Sequence, residues 1–392
     1  GTLAFAVGRA FGYTGGAALP MQLINAVAGA LGVALFYRLT WRATGRADIA
    51  LVAALLLGGA YAYWYYAVEI EVYTVATLFL LLCLKLLLDL NQGWSARRFA
   101  LLGLAQGGAI LFHQTNVLFC VPVLVFWMAA TSKRQTRKAP VAALLAYPAM
   151  LAAAVGLPYL FVGVVVSGFR SWSAFERWLT EYARTGWWGG PITAQKWGDL
   201  GAGWADTLAQ PGGALLGLLL LGLVVAHART LARAVAPLMW MLLAWLVVYG
   251  AFFLWWEPDN VEFWIASLPP ALLLLALALR DTRPWGPEVW MALAIGMTSA
   301  AVNYDSIARR GDATTDLQRT IARTLASQSQ AADLLLVPDG LLELYLPYYE
   351  RHDNFSSLNQ ALFDSGGDWQ AACSALHRRI DAALHAGAAA IV

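Results

Sequence analysis

The chain has 392 residues, 60% of them hydrophobic and 13% charged, against roughly 45–50% apolar and about 25% charged in soluble domains. That balance excludes a soluble globular protein and predicts a polytopic membrane protein, with 18 Trp, 15 Tyr and 16 Phe available as interfacial anchors. The 26 Lys and Arg nearly cancel the 24 Asp and Glu, so no basic field argues for a nucleic-acid partner.

The first apolar stretch, residues 3–11, is too short to span and carries Arg9, the pattern of an interfacial helix. Ten candidate spans follow, near 18–37, 49–66, 70–90, 99–113, 116–130, 140–166, 212–228, 235–255, 263–280 and 286–303. Pro122, Pro148, Pro158, Pro269 and Pro270 are expected to kink theirs. Alternate connections collect the cations: Arg38, Arg42 and Arg46, then Lys85, Arg97 and Arg98, then 133–138, then Arg229 and Arg233, then Arg280 and Arg283. The opposite short turns near 67–69, 113–116 and 256–262 carry none, which predicts that they face outward. The long connection 167–211 holds Arg170, Arg177, Arg184 and Lys196 and is expected on the same outer side. It opens with a helix-like amphipathic piece over 173–183 that Gly189, Gly190 and Pro191 end.

Beyond 303 the apolar runs shorten. Leu334–Val337 reads as a strand, 340–349 and 369–385 as helices and 388–392 as a further strand, an alternation that predicts a small α/β unit. The expected architecture is therefore an all-α membrane bundle over 1–303 followed by an outward α/β tail over 304–392. The opening Gly-Thr-Leu and the apolar close at 388–392 predict a fragment cut at both ends. Cys83, Cys120 and Cys373 have no metal-ligand spacing and are expected as small buried hydrophobes.

Ionisable groups close to hydrocarbon are costly and point to function, and three outward turns hold them. Residues 61–73 combine an aromatic belt with Glu69, Glu71 and Tyr73. Two residues apart on a helix, the glutamates would point about 200° from each other, so one faces the bundle and the other the headgroups. His113, Gln114, Thr115 and Asn116 form a second polar turn, either a satisfied turn or a hydrogen-bonding floor for a polar headgroup. Trp256, Glu257, Asp259, Asn260, Glu262 and Trp264 form the third. Aromatic faces beside carboxylates suit sugars, whose C–H faces stack while their hydroxyls bond to acids; interfacial anchoring would give the same tryptophans. No phosphate-binding Gly-x-x-x-x-Gly-Lys loop, His-Glu-x-x-His, Gly-x-Ser-x-Gly or Cys-x-x-Cys is present.

These motifs, Glu71-Val72-Tyr73, His113 to Asn116 and Trp256 to Trp264, together with the alternating topology, resemble bacterial GT-C-type integral membrane glycosyltransferases, in particular the protein O-mannosyltransferase-like members. The resemblance implies a polyprenyl-phosphate-linked sugar made inside a bacterial plasma membrane. It further implies transfer outside, by inverting single displacement, to a protein, lipid or glycan acceptor. By the same likeness Glu71 occupies the family's second acidic position and orients the acceptor or a bound divalent cation, while His113 lines the same cavity. The family's principal acid sits in the first outer loop; here no acid precedes Asp48, so that group is expected upstream of Gly1. Glu69 and Glu71 are thus the candidate catalytic residues, with Tyr73, His113, Asn116, Trp256, Asp259 and Glu262 as candidate substrate contacts. Arg184 and Lys196 are the candidate cations for the departing phosphate. A transporter or lipid flippase and a non-catalytic scaffold are the competing readings. The first of these is disfavoured because no inverted pair of Gly- or Pro-broken spans is legible.

Overall fold

The computed structural model describes residues 2–133, 141–184, 189–233, 236–310, 314–338 and 340–391. It is mostly helical and divides into two compact units, one of residues 1–170 with 191–305, the other of 171–190 with 306–392.

The first unit opens with α1 (Thr2–Ala10), where Arg9 lies 4.8 Å from the centre of the Phe5 ring. It continues through α2 (Ala18–Thr44), α3 (Ala47–Gly59), α4 (Tyr61–Val68), α5 (Tyr73–Gln92) and α6 (Ala96–Phe112). A 3-10 turn over Gln114–Phe119 leads into α7 (Cys120–Lys133) and α8 (Val141–Leu160), which runs on as a π-helix, Phe161–Val166. After α9 (Trp172–Arg184), which belongs to the second unit, come α10 (Ala194–Leu208), α11 (Gly213–Ala226), α12 (Ala228–Ala232) and α13 (Ala236–Trp256). The short α14 (Val261–Trp264) and a 3-10 turn precede α15 (Leu268–Leu279), and α16 (Pro287–Arg310) closes the unit.

Among the described residues six stretches are long and apolar enough to cross a membrane: Ala18–Thr44, Tyr73–Gln92, Gln114–Thr131, Leu145–Val166, Ala236–Trp256 and Val261–Leu279. Two bent pairs, α3 with α4 (61°) and α10 with α11 (91°), raise the number to eight. Helix occupies each of the ten stretches expected from sequence. However, α6 has only 17 residues and starts with Arg97 and Arg98, and α16 carries Thr298, Ser299 and Asn303; neither is in the set of eight. Three further expectations are corrected. The span 49–66 is not straight, the connection 167–211 contains the unforeseen helix α10, and Pro269 and Pro270 open α15 instead of kinking it. Cys83 is buried, but Cys373 is exposed.

Lipid tails are as apolar as leucine, so helices in a membrane associate through close packing and hydrogen bonds. Gly103 and Gly107, one turn apart on α6, show the first device. A Cβ on Gly103 would sit 2.4 Å from the Tyr147 carbonyl oxygen, and one on Gly107 would sit 2.5 Å from the Ala154 Cβ. The second device serves the breaks. Where α3 turns into α4, the Gly59 carbonyl accepts from Ser299 (3.2 Å) and Asn303 (2.9 Å) of α16. Where α10 turns toward α11, the Leu208 carbonyl accepts from the same two side chains, at 2.7 and 3.0 Å. The Asn303 Oδ1 in turn accepts from the Gln210 N–H at 3.1 Å. One buried Ser–Asn pair therefore satisfies both bends.

At the other end of α2, Arg46 binds Asp48 (2.6 Å) and the carbonyls of Arg280 and Thr282. The same Asp48 oxygen also accepts from the Trp285 N–H at 3.0 Å. Arg42 pairs with Asp89 at 2.5 Å, and Lys85 with the same carboxylate at 2.8 Å. Arg42, Arg46 and Lys85, three of the cations that the sequence assigns to one side, are thus tied to that end of the helices.

In the second unit, β1 (Leu334–Val337), β2 (Phe355–Ser357) and β3 (Ala390–Ile391) form a parallel sheet in the order β2-β1-β3, with Leu335 opposite Phe355 and Ile391. Its helices are α17 (Leu317–Ser327), α18 (Gly340–Tyr345), α19 (Leu358–Asp364) and α20 (Trp369–His385), besides α9. The N–H groups of Gln330 (2.7 Å) and Ala389 (2.8 Å) donate to Asp333 and hold its carboxyl below the usual carboxylate range. One carboxylate thereby joins the approach to β1 with the approach to β3.

Replacing Asn303 by Leu removes donors from two buried carbonyls and an acceptor from one N–H, and Ser299 alone cannot restore all three. The expected cost is about 2 kcal/mol or more, read as a lowered unfolding temperature of the detergent-solubilised chain.

Candidate functional site

At the end of the bundle opposite the Arg46 cluster, three turns distant in sequence meet. The first, residues 69–72, links α4 to α5, and its glutamates are not on a helix: Glu69 is extended, with φ −92° and ψ 169°. The argument from helical angles therefore does not apply to them. The turn is pinned by a residue that the sequence reading did not single out. Asn25, buried on α2, donates to the carbonyls of both Glu69 and Glu71 at 2.6 Å. Thr74 adds a bond to the Tyr66 carbonyl at 2.8 Å, so the backbone is held at both ends while the Glu71 side chain reaches solvent.

The second turn follows α6. Here His113 Nδ1 and the Thr115 hydroxyl share a 2.5 Å hydrogen bond. Asn116 is buried and spends its side chain on the protein. Its amide donates to the Ala109 and His113 carbonyls (3.1 and 3.0 Å), and its oxygen accepts from the Tyr249 hydroxyl at 3.0 Å. The neighbouring Gln106 amide donates to the Asn116 carbonyl at 3.1 Å. Of the two readings open for this turn, the satisfied one describes Asn116, whereas His113 turns to the cleft.

The third turn, between α13 and α14, is capped by Asn260, whose side chain accepts from the Glu262 N–H at 3.2 Å. The Asn260 amide donates to Glu262 at 3.1 Å and to Glu257 at 3.3 Å. Glu262 also accepts from Tyr66 at 3.1 Å and from Tyr73. Three donors, from α4, α5 and its own turn, therefore fix this carboxylate before any ligand arrives. Behind it the Trp264 indole donates to the Pro258 carbonyl at 2.8 Å, and α10 closes on the same turn. A Cβ on Gly203 of α10 would lie 2.2 Å from the Pro258 oxygen, which leaves glycine alone able to fit.

Tyr73, His113, Thr77, Phe253, Glu262 and Phe263 line one open cleft. Its rings run in series: Tyr66 to Tyr73 at 5.3 Å, Tyr73 to His113 at 4.8 Å, His113 to Phe263 at 5.9 Å and Phe263 to Phe253 at 5.2 Å. Glu71 stands beside Glu262. Partial burial and then the Glu262 charge, helped by Glu69, hold the Glu71 carboxyl above its ordinary range, with the Val72 N–H pulling weakly the other way. Burial pushes the His113 imidazole down to about 4, so it is neutral at pH 7 and works as a hydrogen-bonding group rather than a cation.

The remaining candidates lie elsewhere. Asp259 is exposed at the tip of its turn. Trp256 stacks on Phe252 at 5.8 Å. The Lys196 ammonium donates to the Trp255 carbonyl at the end of α13. The Arg184 side chain lies outside the described residues. Among the described residues no group of three or more His, Cys, Asp or Glu is placed to hold a metal ion.

Residues 10–159 match the sequence profile of the dolichyl-phosphate-mannose-protein mannosyltransferase family. That segment contains Glu69, Glu71, Tyr73 and His113 and stops well before Glu262. No curated protein matches the chain. Among solved structures the chain is similar to ArnT from Cupriavidus metallidurans, crystallised bound to undecaprenyl phosphate. The TM-score is 0.60 at 16% identity, over 94% of this chain and 77% of that one. The chain thus shares the fold of ArnT, and within it residues 10–159 are similar to the mannosyltransferase family.

The depressed His113 value carries a sign. Below the unfolded value of 6.5 the unfolded imidazole takes up a proton that the folded one refuses until about pH 4, so stability falls as pH drops through that window. His113→Asn abolishes this share. The difference in unfolding temperature between pH 7 and pH 5 is expected to be smaller in the variant than in the wild type.

Proposed function

We propose that the chain transfers a sugar from a polyprenyl-phosphate carrier to an acceptor hydroxyl at the outer face of a bacterial plasma membrane, by a single displacement that inverts the anomeric carbon. The observation that carries this reading is the convergence of Glu71 and Glu262 with Tyr66, Tyr73 and His113 at one end of a GT-C-type bundle. The outward assignment is supported by the lack of Lys and Arg in all three site turns.

In this reading the acceptor oxygen attacks the anomeric carbon and the bond from that carbon to the phosphate oxygen breaks. The electron pair leaves with the polyprenyl phosphate, and the hydroxyl proton passes to a carboxylate. Glu71 is the group suited to orient that hydroxyl and take its proton. It reaches solvent, and a carboxyl whose affinity for protons is raised is a stronger base than an ordinary one. Glu262 is less suited, because its oxygens already accept from Tyr66, Tyr73 and Asn260. Its part is to hold a fixed negative charge beside Glu71. Lys196, at the neighbouring end of α10, is the cation proposed for the leaving phosphate. Breaks in spans also occur in transporters, where freed backbone groups hold the substrate. Here Ser299 and Asn303 occupy the Gly59 and Leu208 carbonyls at the two bends, which favours the transferase.

The test is transfer from undecaprenyl-phosphate sugars by the purified chain in lipid nanodiscs. Glu71→Gln is expected to lose a hundredfold or more in kcat, the usual scale for a general base. Glu262→Gln is expected to move the acid limb of the kcat/KM profile to lower pH, because the neighbouring charge that raises Glu71 is gone. Full transfer by the Glu71→Gln variant would overturn the assignment.

A further inference from the structure

Few buried polar side chains of a native protein lack a partner, and one that does invites an explanation. Among the described residues the buried atoms in that state include the hydroxyls of Thr40, Thr77 and Ser267 and the indole nitrogens of Trp127 and Trp245. Of these only Thr77 lines the cleft. It lies on α5, one turn beyond Tyr73, and is 1% exposed. Its hydroxyl forms no bond even to its own helix, although a threonine in a helix ordinarily can bond the carbonyl one turn back. Burying an unsatisfied hydroxyl costs roughly as much as a hydrogen bond is worth, so the position is disfavoured in the free protein and improved by a ligand group that fills it.

The surroundings specify the chemistry of that group. Around Thr77 the cleft is lined by Tyr73, His113, Phe253, Glu262 and Phe263 and presents a mostly apolar surface. A phosphate would meet Glu262 and Glu71 as like charges and is repelled. The free space beside Thr77 is about 10 Å³, room for a single neutral hydroxyl and not for the ring that bears it, which would stay at the aromatic mouth. We propose that the Thr77 hydroxyl reads one hydroxyl of the sugar on the lipid carrier, making Thr77 a specificity-determining residue of the cleft. This deepens the reading of the cleft as a sugar-transfer site and rests on it for the identity of the ligand, but it concerns binding and not turnover.

The experiment compares the wild type, Thr77→Val and Thr77→Ser in nanodiscs. It measures the unfolding temperature and the affinity for undecaprenyl phosphate bare and carrying mannose, glucose or galactose. Valine keeps the shape of threonine without the hydroxyl, which in most cores is no neutral exchange; an unpartnered hydroxyl is the exception. Thr77→Val is therefore expected to unfold at or above the wild-type temperature. It should nevertheless bind the preferred sugar-bearing lipid about tenfold more weakly, the scale of one hydrogen bond, with bare undecaprenyl phosphate unaffected. Thr77→Ser should keep the preference. A residue serving structure alone would show the opposite pairing, lower stability with sugar binding weakened only in proportion, and that result overturns the proposal. So does a wild type that binds bare and sugar-bearing lipid equally, or a valine variant that keeps the wild-type preference. Thr77-dependent sugar binding without any transfer would leave this inference standing and remove the catalytic reading instead.

Discussion

A backbone carbonyl without a donor inside a bilayer costs several kcal/mol, and the fold is organised around meeting that demand at its two bent spans. Each bend is what brings a helix to the site. The turn at Gly59 aims α4, with Tyr66, toward the Glu262 turn. The turn after Leu208 lets α10 lie against Pro258 and Trp264. Both bends open carbonyls that α16 closes through Ser299 and Asn303. Were those two side chains apolar, straight spans would be the cheaper solution, and neither α4 nor α10 would be delivered.

The electrostatics of the cleft follow from that scaffold. Glu262 receives hydrogen bonds from groups on α4, α5 and its own turn, so its negative charge is held by oriented dipoles instead of by bulk water. Glu71 has a fixed backbone and a less restrained side chain. The two carboxylates therefore differ in setting: Glu262 is anchored by donors, whereas Glu71 is exposed and lies in its field. Preorganised dipoles of this kind need no rearrangement when charge shifts during a reaction.

Much of the secondary structure was legible in the sequence. The apolar periodicity delimits α5 and α20, and Leu334–Val337 is the strand that its branched and leucine-rich run suggests. What escaped was set by tertiary contact. The bend at Ala60 follows the Gly58-Gly59 pair of an apolar run and is stabilised from α16, some 240 residues later. Helix α10 has the glycine content of a loop, and Gly203 is there for closeness to Pro258. At the site, the three outward turns could be marked from carboxylates near hydrocarbon. Asn25, Tyr66, Asn260 and Thr77 could not, because a single Asn or Thr in an apolar helix gives no sign of whether it faces a carbonyl, a neighbour or a cavity. One cue was available: Asn25 is, with Gln22, one of two strongly polar residues in the first span, and such a group must find a partner.

The contact of Gly203 with the Pro258 oxygen has a bearing on how variants of this chain would sort. Position 203 is remote in sequence from the carboxylates and touches only backbone and an indole, so it would ordinarily be classed with packing positions that tolerate a methyl group. Here the backbone oxygen it meets belongs to the turn that ends in Glu262, and a methyl group could be accommodated only by translating that turn. A change as small as glycine to alanine would therefore be felt first as displacement of the Glu262 carboxylate and only second as loss of fold, in a segment remote in sequence from that turn.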